Sequence, residues 1–337
     1  MTAILLYNVP KSFGRLRKGD FEIVANFETK NSISLLLEHI QKFIPDLVGV
    51  NSGEEDWPEL LPDGPVLNYT YAFGTFLESV RPTLVLEARK KEYFGATPFG
   101  LYLSANKPHA SDLMSSMGFL CPKQYTVPER LDPQGAEAVS RYFEGCELLV
   151  VKPAYEESSI GLQLVPNTPG EIRSVISRLH HKRPGVKVVQ EYVEGLDVTV
   201  PVIGRTEPRC LPAVALFPDE PFDAPFVFDA HLKASKEGLE YRTVPDWPSE
   251  QRQVFYDMAV AAFRVTHQRD YARMDCRVSP DGRCWFLEMN ANPQLGTGKG
   301  SFAVSGRSVG LEVGEIVKLV LDGEAPSYGA SPLAVGL

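Results

Sequence analysis

The sequence has few of the features that mark secreted, membrane or disulfide-rich proteins. Its five cysteines, at positions 121, 146, 210, 276 and 284, show no CxxC spacing. It contains no run of 18 apolar residues that could cross a bilayer, and the apolar stretch at residues 3–7 is too short for a signal peptide. These absences predict a protein of the reducing cytoplasm.

Positive charge is also scarce. The chain has 34 Lys and Arg against 43 Asp and Glu, a formal net charge of −9, and no Lys/Arg run in it suggests a basic arm. A protein that binds nucleic acid by releasing counterions needs the opposite balance, so we expect small-molecule partners, with neither nucleic acid nor membrane among them. With 337 residues and 44% hydrophobic content, the chain is long enough for two or three domains with a sizeable core.

A β-hairpin is predicted at residues 272–290, where alternating side chains flank a Pro-Asp-Gly sequence at residues 280–282. If the Asp-Gly pair forms the tip, Asp275 lies opposite Glu288. The face that these two acids share also carries Arg273 and Asn290, whereas the opposite, apolar face carries Met274, Cys276, Val278, Trp285, Leu287 and Met289.

Two carboxylates that face each other across a strand pair repel, so this arrangement requires compensation. A divalent cation would supply it, because Mg2+ typically binds one or two carboxylates together with substrate phosphates. The alternative is a solvated face on which Arg273 and Arg277 neutralise the acids. The hairpin alone leaves both interpretations open.

The rest of the chain alternates predicted strands and helices. Residues 3–9, 32–43 and 47–50 begin a βαβ unit. Further strands are predicted at 66–71, 148–152, 162–165, 186–193, 198–202, 211–216 and 226–228, and helices at 83–92, 110–117, 171–179, 249–267 and 315–321. This pattern predicts an α/β (α+β) fold.

A polar loop with the sequence EESSIG, residues 156–161, follows the strand that ends at Lys152 and Pro153. Hydroxyls and backbone N–H groups in such a loop can surround phosphate oxygens. An ordinary hairpin turn is the competing interpretation, since Ser and Gly favour turns for local reasons.

Together these motifs resemble the ATP-grasp superfamily, and within it D-alanine-D-alanine ligase and its relatives. The resemblance runs from about residue 93 to residue 311 and depends on the order of short segments: Tyr93-Phe94-Gly95, Asn106-Lys107, Val151-Lys152-Pro153, the EESSIG loop, QEYVEGLD at 190–197, Arg273-Met274-Asp275 and LEMNANP at 287–293. It implies an ATP-grasp fold with an N-terminal α/β domain (1–105), two α+β subdomains that clasp ATP (106–196 and 197–325, the second with the metal site) and a tail (326–337).

The resemblance also implies roles for individual residues. ATP would be bound by Lys107, Lys152, Ser158 and Ser159 at the phosphates, by the backbone of Glu191, Tyr192 and Val193 at the adenine, by Leu287 against the adenine ring and by Asp197 at the ribose. Mg2+, two ions in the family and with Mn2+ as an alternative, would be bound by Asp275, Glu288 and Asn290.

The implied reaction is ATP-dependent ligation of a carboxylate to an amine through an acyl phosphate. Arg273 and a backbone N–H near Gln294 would hold the oxyanion of the tetrahedral intermediate, and Ser158 and Lys233 are further catalytic candidates. His231 stands where relatives have a phosphate-contacting lysine, and Lys233 is preferred to Lys236 as its substitute. The resemblance further implies small carboxylate and amine substrates and a homodimer.

The sequence departs from the relatives that use D-alanine. Residues 11–30 lack their glycine-rich stretch with an acidic residue, and Glu157 and Gln294 replace glycines. The stretch at 296–301 is also unlike the usual second-substrate loop, where Lys299 either pairs with a substrate carboxylate or faces water. A specialised amide or dipeptide ligase with an amino acid substrate is therefore predicted. The alternatives are the cell-wall D-alanine-D-alanine ligase, a non-catalytic ATP-binding regulatory module and a kinase that phosphorylates a hydroxyl.

Overall fold

The computed structural model describes residues 2–9, 29–70, 76–128, 130–155, 159–182, 184–218, 225, 227, 239–244, 247–296, 298 and 300–324. Several predicted features lie outside these residues: Glu157, Ser158, His231, Lys233, Lys236, Lys299, most of the predicted strand at 226–228 and the tail at 326–337. Within the described part of the chain, no helix is long and apolar enough to span a bilayer.

The N-terminal part of the chain forms a parallel four-stranded sheet in the order β2-β1-β3-β4. Its elements are β1 (Ile4–Tyr7), α1 (Lys30–Gln41), β2 (Val48–Asn51), β3 (Val66–Tyr69), α2 (Phe76–Ala88) and β4 (Tyr93–Phe94). Helix α1 begins where the Thr29 hydroxyl accepts a hydrogen bond from the Ser32 N–H at 3.0 Å, and it buries Ile33, Leu36 and Ile40 against the sheet. The predicted βαβ beginning is therefore present.

A second sheet, antiparallel and four-stranded, has the order β5-β8-β6-β7. Helices α3 (Pro98–Ala105) and α4 (Lys107–Ser116) precede this sheet in the chain. Its strands are β5 (Gln124–Val127), β6 (Leu148–Pro153), β7 (Gln163–Pro166) and β8 (Lys187–Glu191). Helix α5 (Pro133–Tyr142) connects β5 to β6, and α6 (Pro169–Lys182) connects β7 to β8. Alternate residues of β6, Leu149 and Val151, pack with Ile172 and Ile176 of α6 in one apolar cluster.

The third sheet has the order β12-β11-β9-β13-β14, with β10 paired to β9. Its elements are β9 (Leu196–Ile203), β10 (Arg209–Cys210), β11 (Val214–Pro218), β12 (Leu239–Thr243), α7 (Ser249–Val265), β13 (Tyr271–Val278) and β14 (Cys284–Ala291), followed by α8 (Ser301–Arg307) and α9 (Val313–Leu321). Phe255, Ala259 and Phe263 of α7 pack on one face of this sheet, so its other face is left to line a cleft.

Some elements differ from the sequence prediction. Strands β4, β5, β10 and β12 and helices α3, α5 and α8 were not predicted, and α2 begins before Pro82 rather than after it. Helix α3, PFGLYLSA, is almost entirely apolar and so lacks the polar face that marks a helix in sequence, although Thr97 caps it and Pro98 occupies its first position. The predicted domain limits at residues 105 and 196 stay predictions.

The predicted hairpin is present, and Asp275 pairs with Glu288 and Arg273 with Asn290 as expected. The tip, however, lies one residue earlier than predicted. The Gly282 N–H donates to the Ser279 carbonyl at 2.8 Å, and Gly282 has φ +82°, as in a three-residue loop that ends in a left-handed glycine. A bulge after Asp275 then adds one residue to β14 and restores the predicted pairing.

The bulge corrects the predicted faces of the hairpin. Cys276 pairs with Phe286, so Leu287 is the extra residue of β14. Phe286 is fully buried on the core face of the hairpin, where Trp285 and Leu287 had been predicted. Leu287 instead lies on the same side as Glu288, at the cleft.

A buried polar junction joins the first sheet to the third. Asp270 accepts hydrogen bonds from the Gly95 N–H at 2.8 Å and from the guanidinium groups of Arg205 and Arg269 at 2.7 to 3.1 Å. Gly95 has φ +112°, and a side chain there would press on Asn292, whose Oδ1 accepts from the Ala96 N–H at 2.8 Å. The Tyr93-Phe94-Gly95 segment is therefore a joint between the two sheets.

Candidate active site

A cleft between the second and third sheets collects most of the predicted site residues. Those that line it are Lys107, Lys152, Ser159, Glu191, Tyr192, Val193, Asp197, Arg273, Asp275, Leu287 and Glu288. Asn290 adjoins it through hydrogen bonds to the two acids. Residues from six separate stretches of sequence thus meet at one place, whereas Ser158 and Lys233 lie outside the described residues.

The two acids of the hairpin are bridged by an amide. The Asn290 Nδ2 donates to Asp275 Oδ2 at 2.9 Å and to Glu288 Oε1 at 3.3 Å. The other oxygen of Asp275 accepts from the Thr199 hydroxyl at 2.8 Å, and Thr199 is the residue of β9 that pairs with Asp275. Lys107 Nζ lies 3.5 Å from Glu288 Oε2. Repulsion between the acids is therefore offset by an amide, a hydroxyl and an ammonium group.

The position of Lys107 follows from local structure. Asn106 caps α4, with its Oδ1 accepting from the His109 N–H at 3.3 Å, so Lys107 is the first residue of the helix. The preceding helix is tied to β14 by Ser104, whose hydroxyl donates to the Met289 carbonyl at 2.7 Å and accepts from the Ala291 N–H at 2.9 Å. These bonds hold the ammonium group of Lys107 against the hairpin.

The donor set fits Mg2+ that arrives with a nucleotide. No group of three or more His, Cys, Asp or Glu side chains suited to a metal occurs in the described part of the chain. Two carboxylates and an amide oxygen are a normal protein share for Mg2+, which keeps water and substrate phosphates as its other ligands. The alternative interpretation, in which arginines neutralise the two acids, is also partly met, because Arg273 Nη2 lies 2.9 Å from Asp275 Oδ2.

The Nε group of Arg273 is a second polar group of this side chain at the site, besides the Nη2 that contacts Asp275. This Nε is buried and has no hydrogen-bond partner among the residues that the structure describes. Burial lowers the pKa of Arg273, but the negative charge of Asp275 and its other neighbours raises the pKa by more, so the guanidinium is charged. A buried N–H group without a partner is costly, and a substrate oxygen would satisfy it.

Lys152 lies at the end of β6 and donates to Gln190 Oε1 at 3.1 Å. Burial lowers the pKa of Lys152 to about 8, opposed by the charge of Glu288 and assisted by that of Lys107. Lys152 on the second sheet, together with Lys107 beside the two acids of the hairpin, suits a metal-bound polyphosphate.

The end of β8 supplies the predicted adenine-binding backbone. The carboxylate of Glu191 accepts from the Lys123 N–H at 2.7 Å and lies 3.8 Å from the Cys146 sulfur, so its side chain is engaged on the β5 side. Tyr192 and Val193 follow the last residue of the strand and line the cleft. This geometry is consistent with the prediction that the backbone, rather than the Glu191 side chain, contacts the base.

Sequence analysis did not assign a role to three polar residues that line the cleft, Gln190, Thr199 and Tyr241, and considered Arg277 only as a cation that neutralises the acids of the hairpin. Thr199 and Arg277 had a detectable signal, because alternation along β9 puts Asp197 and Thr199 on one face, opposite Arg277 and Asp275 of β13. Tyr241 comes from β12, and nothing in the local sequence predicts that β12 reaches the cleft. Burial raises the pKa of Tyr241 to about 12.

Comparison with known proteins gives one family. The family model described as D-ala D-ala ligase C-terminus matches residues 130–322. D-alanine-D-alanine ligase of Methylibium petroleiphilum is 27% identical over 324 residues, covering 94% of this chain and 97% of that protein. The uncharacterized protein y4sG of Sinorhizobium fredii is 28% identical over 242 residues, covering 71% of this chain and 68% of that protein.

Solved structures show the same fold. D-alanine-D-alanine ligase from Bacillus anthracis in complex with ATP superposes with a TM-score of 0.71 at 17% identity, covering 96% of both chains. The D-Ala:D-Ser ligase from Enterococcus faecalis gives a TM-score of 0.70 at 16% identity, covering 95% of this chain and 98% of that one. The architecture is therefore the ATP-grasp fold of these ligases, as the sequence motifs predicted.

Proposed function

The chain belongs to the D-ala D-ala ligase C-terminus family of ATP-dependent carboxylate-amine ligases, and from that premise we propose that it joins an amino acid carboxylate to an amine in this cleft. The observation that carries the proposal is the meeting of Arg273 with the paired acids Asp275 and Glu288 on one hairpin face. A binding module has no need of a buried guanidinium N–H beside a metal-type donor set.

In this proposal, each part of the cleft has one task. Lys107 and Lys152 bind and orient the ATP phosphates, while the segment after β8 and Leu287 hold the base. Asp275, Glu288 and Asn290 would hold Mg2+, whose charge offsets that of the β- and γ-phosphates. The substrate carboxylate takes the γ-phosphoryl group, the amine attacks the resulting acyl phosphate, and phosphate leaves as the amide forms.

Arg273 then stabilises the oxyanion of the tetrahedral intermediate. Its Nη2 is occupied by Asp275, whereas its buried Nε, which has no partner among the described residues, is a donor still available. A preorganised donor in a cleft that excludes water stabilises developing charge more than bulk water does. The order of events thus assigns Arg273 to the acyl-transfer step.

Release of phosphate from ATP tests the proposal. The protein with ATP, Mg2+ and pools of D- and L-amino acids and amines is expected to release ADP and phosphate only when an acid and an amine are both present, with an amide product in the mass spectrum. A stable phosphorylated product would indicate a kinase. Absence of phosphate release with every pool would indicate a binding module.

The identity of the substrates is a separate question. Relatives that cover nearly the whole chain are named D-alanine-D-alanine ligase, yet Gln294, exposed just after the LEMNANP segment, stands where the resemblance implies a glycine. We favour a specialised amide or dipeptide ligase in the cytoplasm. Phosphate release with D-alanine as the sole amino acid, at the rate of the best mixed pool, would instead favour the cell-wall enzyme.

The pKa of Lys152 predicts a pH effect on ATP binding. As pH rises through about 8, the free enzyme loses the Lys152 ammonium, so the KM for ATP is expected to rise several-fold between about pH 7 and 9. Lys152→Arg keeps its charge and should flatten this profile. Lys182→Arg, at the end of α6, is the control, and a KM profile unchanged by Lys152→Arg would contradict the assignment.

The same shift affects stability with a defined sign. The pKa of Lys152 is lower in the folded chain than the value near 10.4 of an unfolded lysine, so between about pH 8 and 10 the unfolded chain binds more protons. The contribution of Lys152 to the free energy of unfolding therefore increases with pH across this window.

A further inference from the structure

Arg277 is a buried arginine in the cleft whose contacts are unlike those of Arg273. It lies on β13, is 6% exposed, and its Nη1 is 3.3 Å from Asp197 Oδ1. Its Nη2 is 3.4 Å from the Tyr192 hydroxyl, and its guanidinium carbon lies 5.1 Å from the centre of the Tyr192 ring. One side chain therefore contacts both the predicted ribose ligand and a residue of the predicted adenine segment.

These two partners lie on either side of a crossing between sheets. Tyr192 follows β8 of the second sheet, and Asp197 is the second residue of β9 in the third. Between them, Gly195 has φ +148°, and a Cβ atom there would collide with the carbonyl oxygen of Val278, next to Arg277. The crossing is thus pressed against the end of β13, where Arg277 can fix both sides of it.

The charges of the cleft explain why Asp197 needs such a neighbour. Asp275 is paired with Arg273, and Glu288 lies near Lys107. Asp197 is a further acid of the cleft, and Arg277 is a cation beside it. Without that cation, the negative charge of a bound triphosphate would repel the Asp197 carboxylate, which favours its displacement from the sugar.

We propose that Arg277 is a positioning residue that holds the Asp197 carboxylate oriented for the hydroxyls of the nucleotide sugar, and so determines the preference for ribonucleotides. The inference rests on the proposed ATP site. A guanidinium suits this task because its planar set of N–H groups engages the carboxylate and the tyrosine together, which the single ammonium group of a lysine does less well.

Calorimetric titration with Mg-ATP and with Mg-2′,3′-dideoxy-ATP, which lacks both sugar hydroxyls, tests the inference. The unchanged protein is expected to bind ATP more tightly than the dideoxy analogue. Arg277→Met should raise the Kd for ATP roughly tenfold, the effect of losing a charge-assisted hydrogen bond, and change the Kd for the analogue by less than about twofold. Arg277→Lys should recover part of the preference.

Arg242→Met is the matched control, because Arg242 is exposed on β12 and pairs with Glu240; it should leave both dissociation constants unchanged. The double variant Asp197→Asn, Arg277→Met removes both charges, so it can be tested if Arg277→Met alone fails to fold. It should bind ATP and the dideoxy analogue with the same Kd, that is, without a sugar preference. Equal weakening of both nucleotides, or a sugar preference retained in the double variant, overturns the role of Arg277. Failure of the unchanged protein to bind either nucleotide overturns the proposed function as well.

Discussion

Arg273→Ala is expected to lower kcat about 100- to 1000-fold, the usual cost of removing one donor to a developing oxyanion. The guanidinium is buried in the cleft, with Nη2 held by Asp275 and Nε without a partner among the described residues. Its loss removes the donor at the step where charge develops on the acyl oxygen, so kcat should fall far more than the affinity for ATP.

The measurement is steady-state phosphate release, combined with calorimetry of Mg-ATP binding to the same variant. Arg242→Ala is the control because Arg242 is exposed on the neighbouring β12 and should be replaceable without effect on either value. Arg273→Lys keeps the charge but loses the fork of N–H groups and is expected to recover only part of kcat. Turnover by Arg273→Ala at the native rate would contradict the assignment of Arg273.

The hairpin shows how far the sequence predicts the site. Alternation and a turn signal were enough to pair Asp275 with Glu288, because a strand pair with one buried face specifies its own register. The pairing was nevertheless reached through two compensating errors, a tip displaced by one residue and an unpredicted bulge at Leu287. A bulge of this kind has no local signal here, because Leu287 is as apolar as the core residues around it.

The contacts between sheets were less predictable than the strands themselves. No sequence pattern places Tyr241 of β12 in the cleft or connects Asp270 with Gly95, because these residues are far from their partners in the chain and are brought to them by sheet order. The short motifs identified the members of the site through their resemblance to a family. Alternation puts Asp197 and Thr199 on one face of β9, but their pairing with Arg277 and Asp275 became visible only from the register of β9 on β13.

Asp270→Asn is expected to lower the free energy of unfolding by about 3 kcal/mol, the cost of breaking a buried charge cluster by removing one partner. The Asp270 side chain is fully buried between two arginines, and its φ of +67° is a conformation that asparagine also tolerates. The substitution therefore removes the charge while keeping size and backbone geometry, and it leaves Arg205 and Arg269 beside each other without their shared anion.

The junction at Asp270 also fixes where the first sheet sits relative to the cleft, because Gly95 and Ala96 are bound to Asp270 and Asn292 respectively. Asp270→Asn should therefore raise the KM of a substrate that contacts the first sheet more than the KM for ATP, whose proposed site lies between the other two sheets. Urea unfolding monitored by circular dichroism measures the stability, with Asp322→Asn, an exposed partner of Lys318, as the control. An unfolding midpoint equal to that of the control would mean that the two arginines are satisfied by solvent, and that the joint depends on backbone contacts instead.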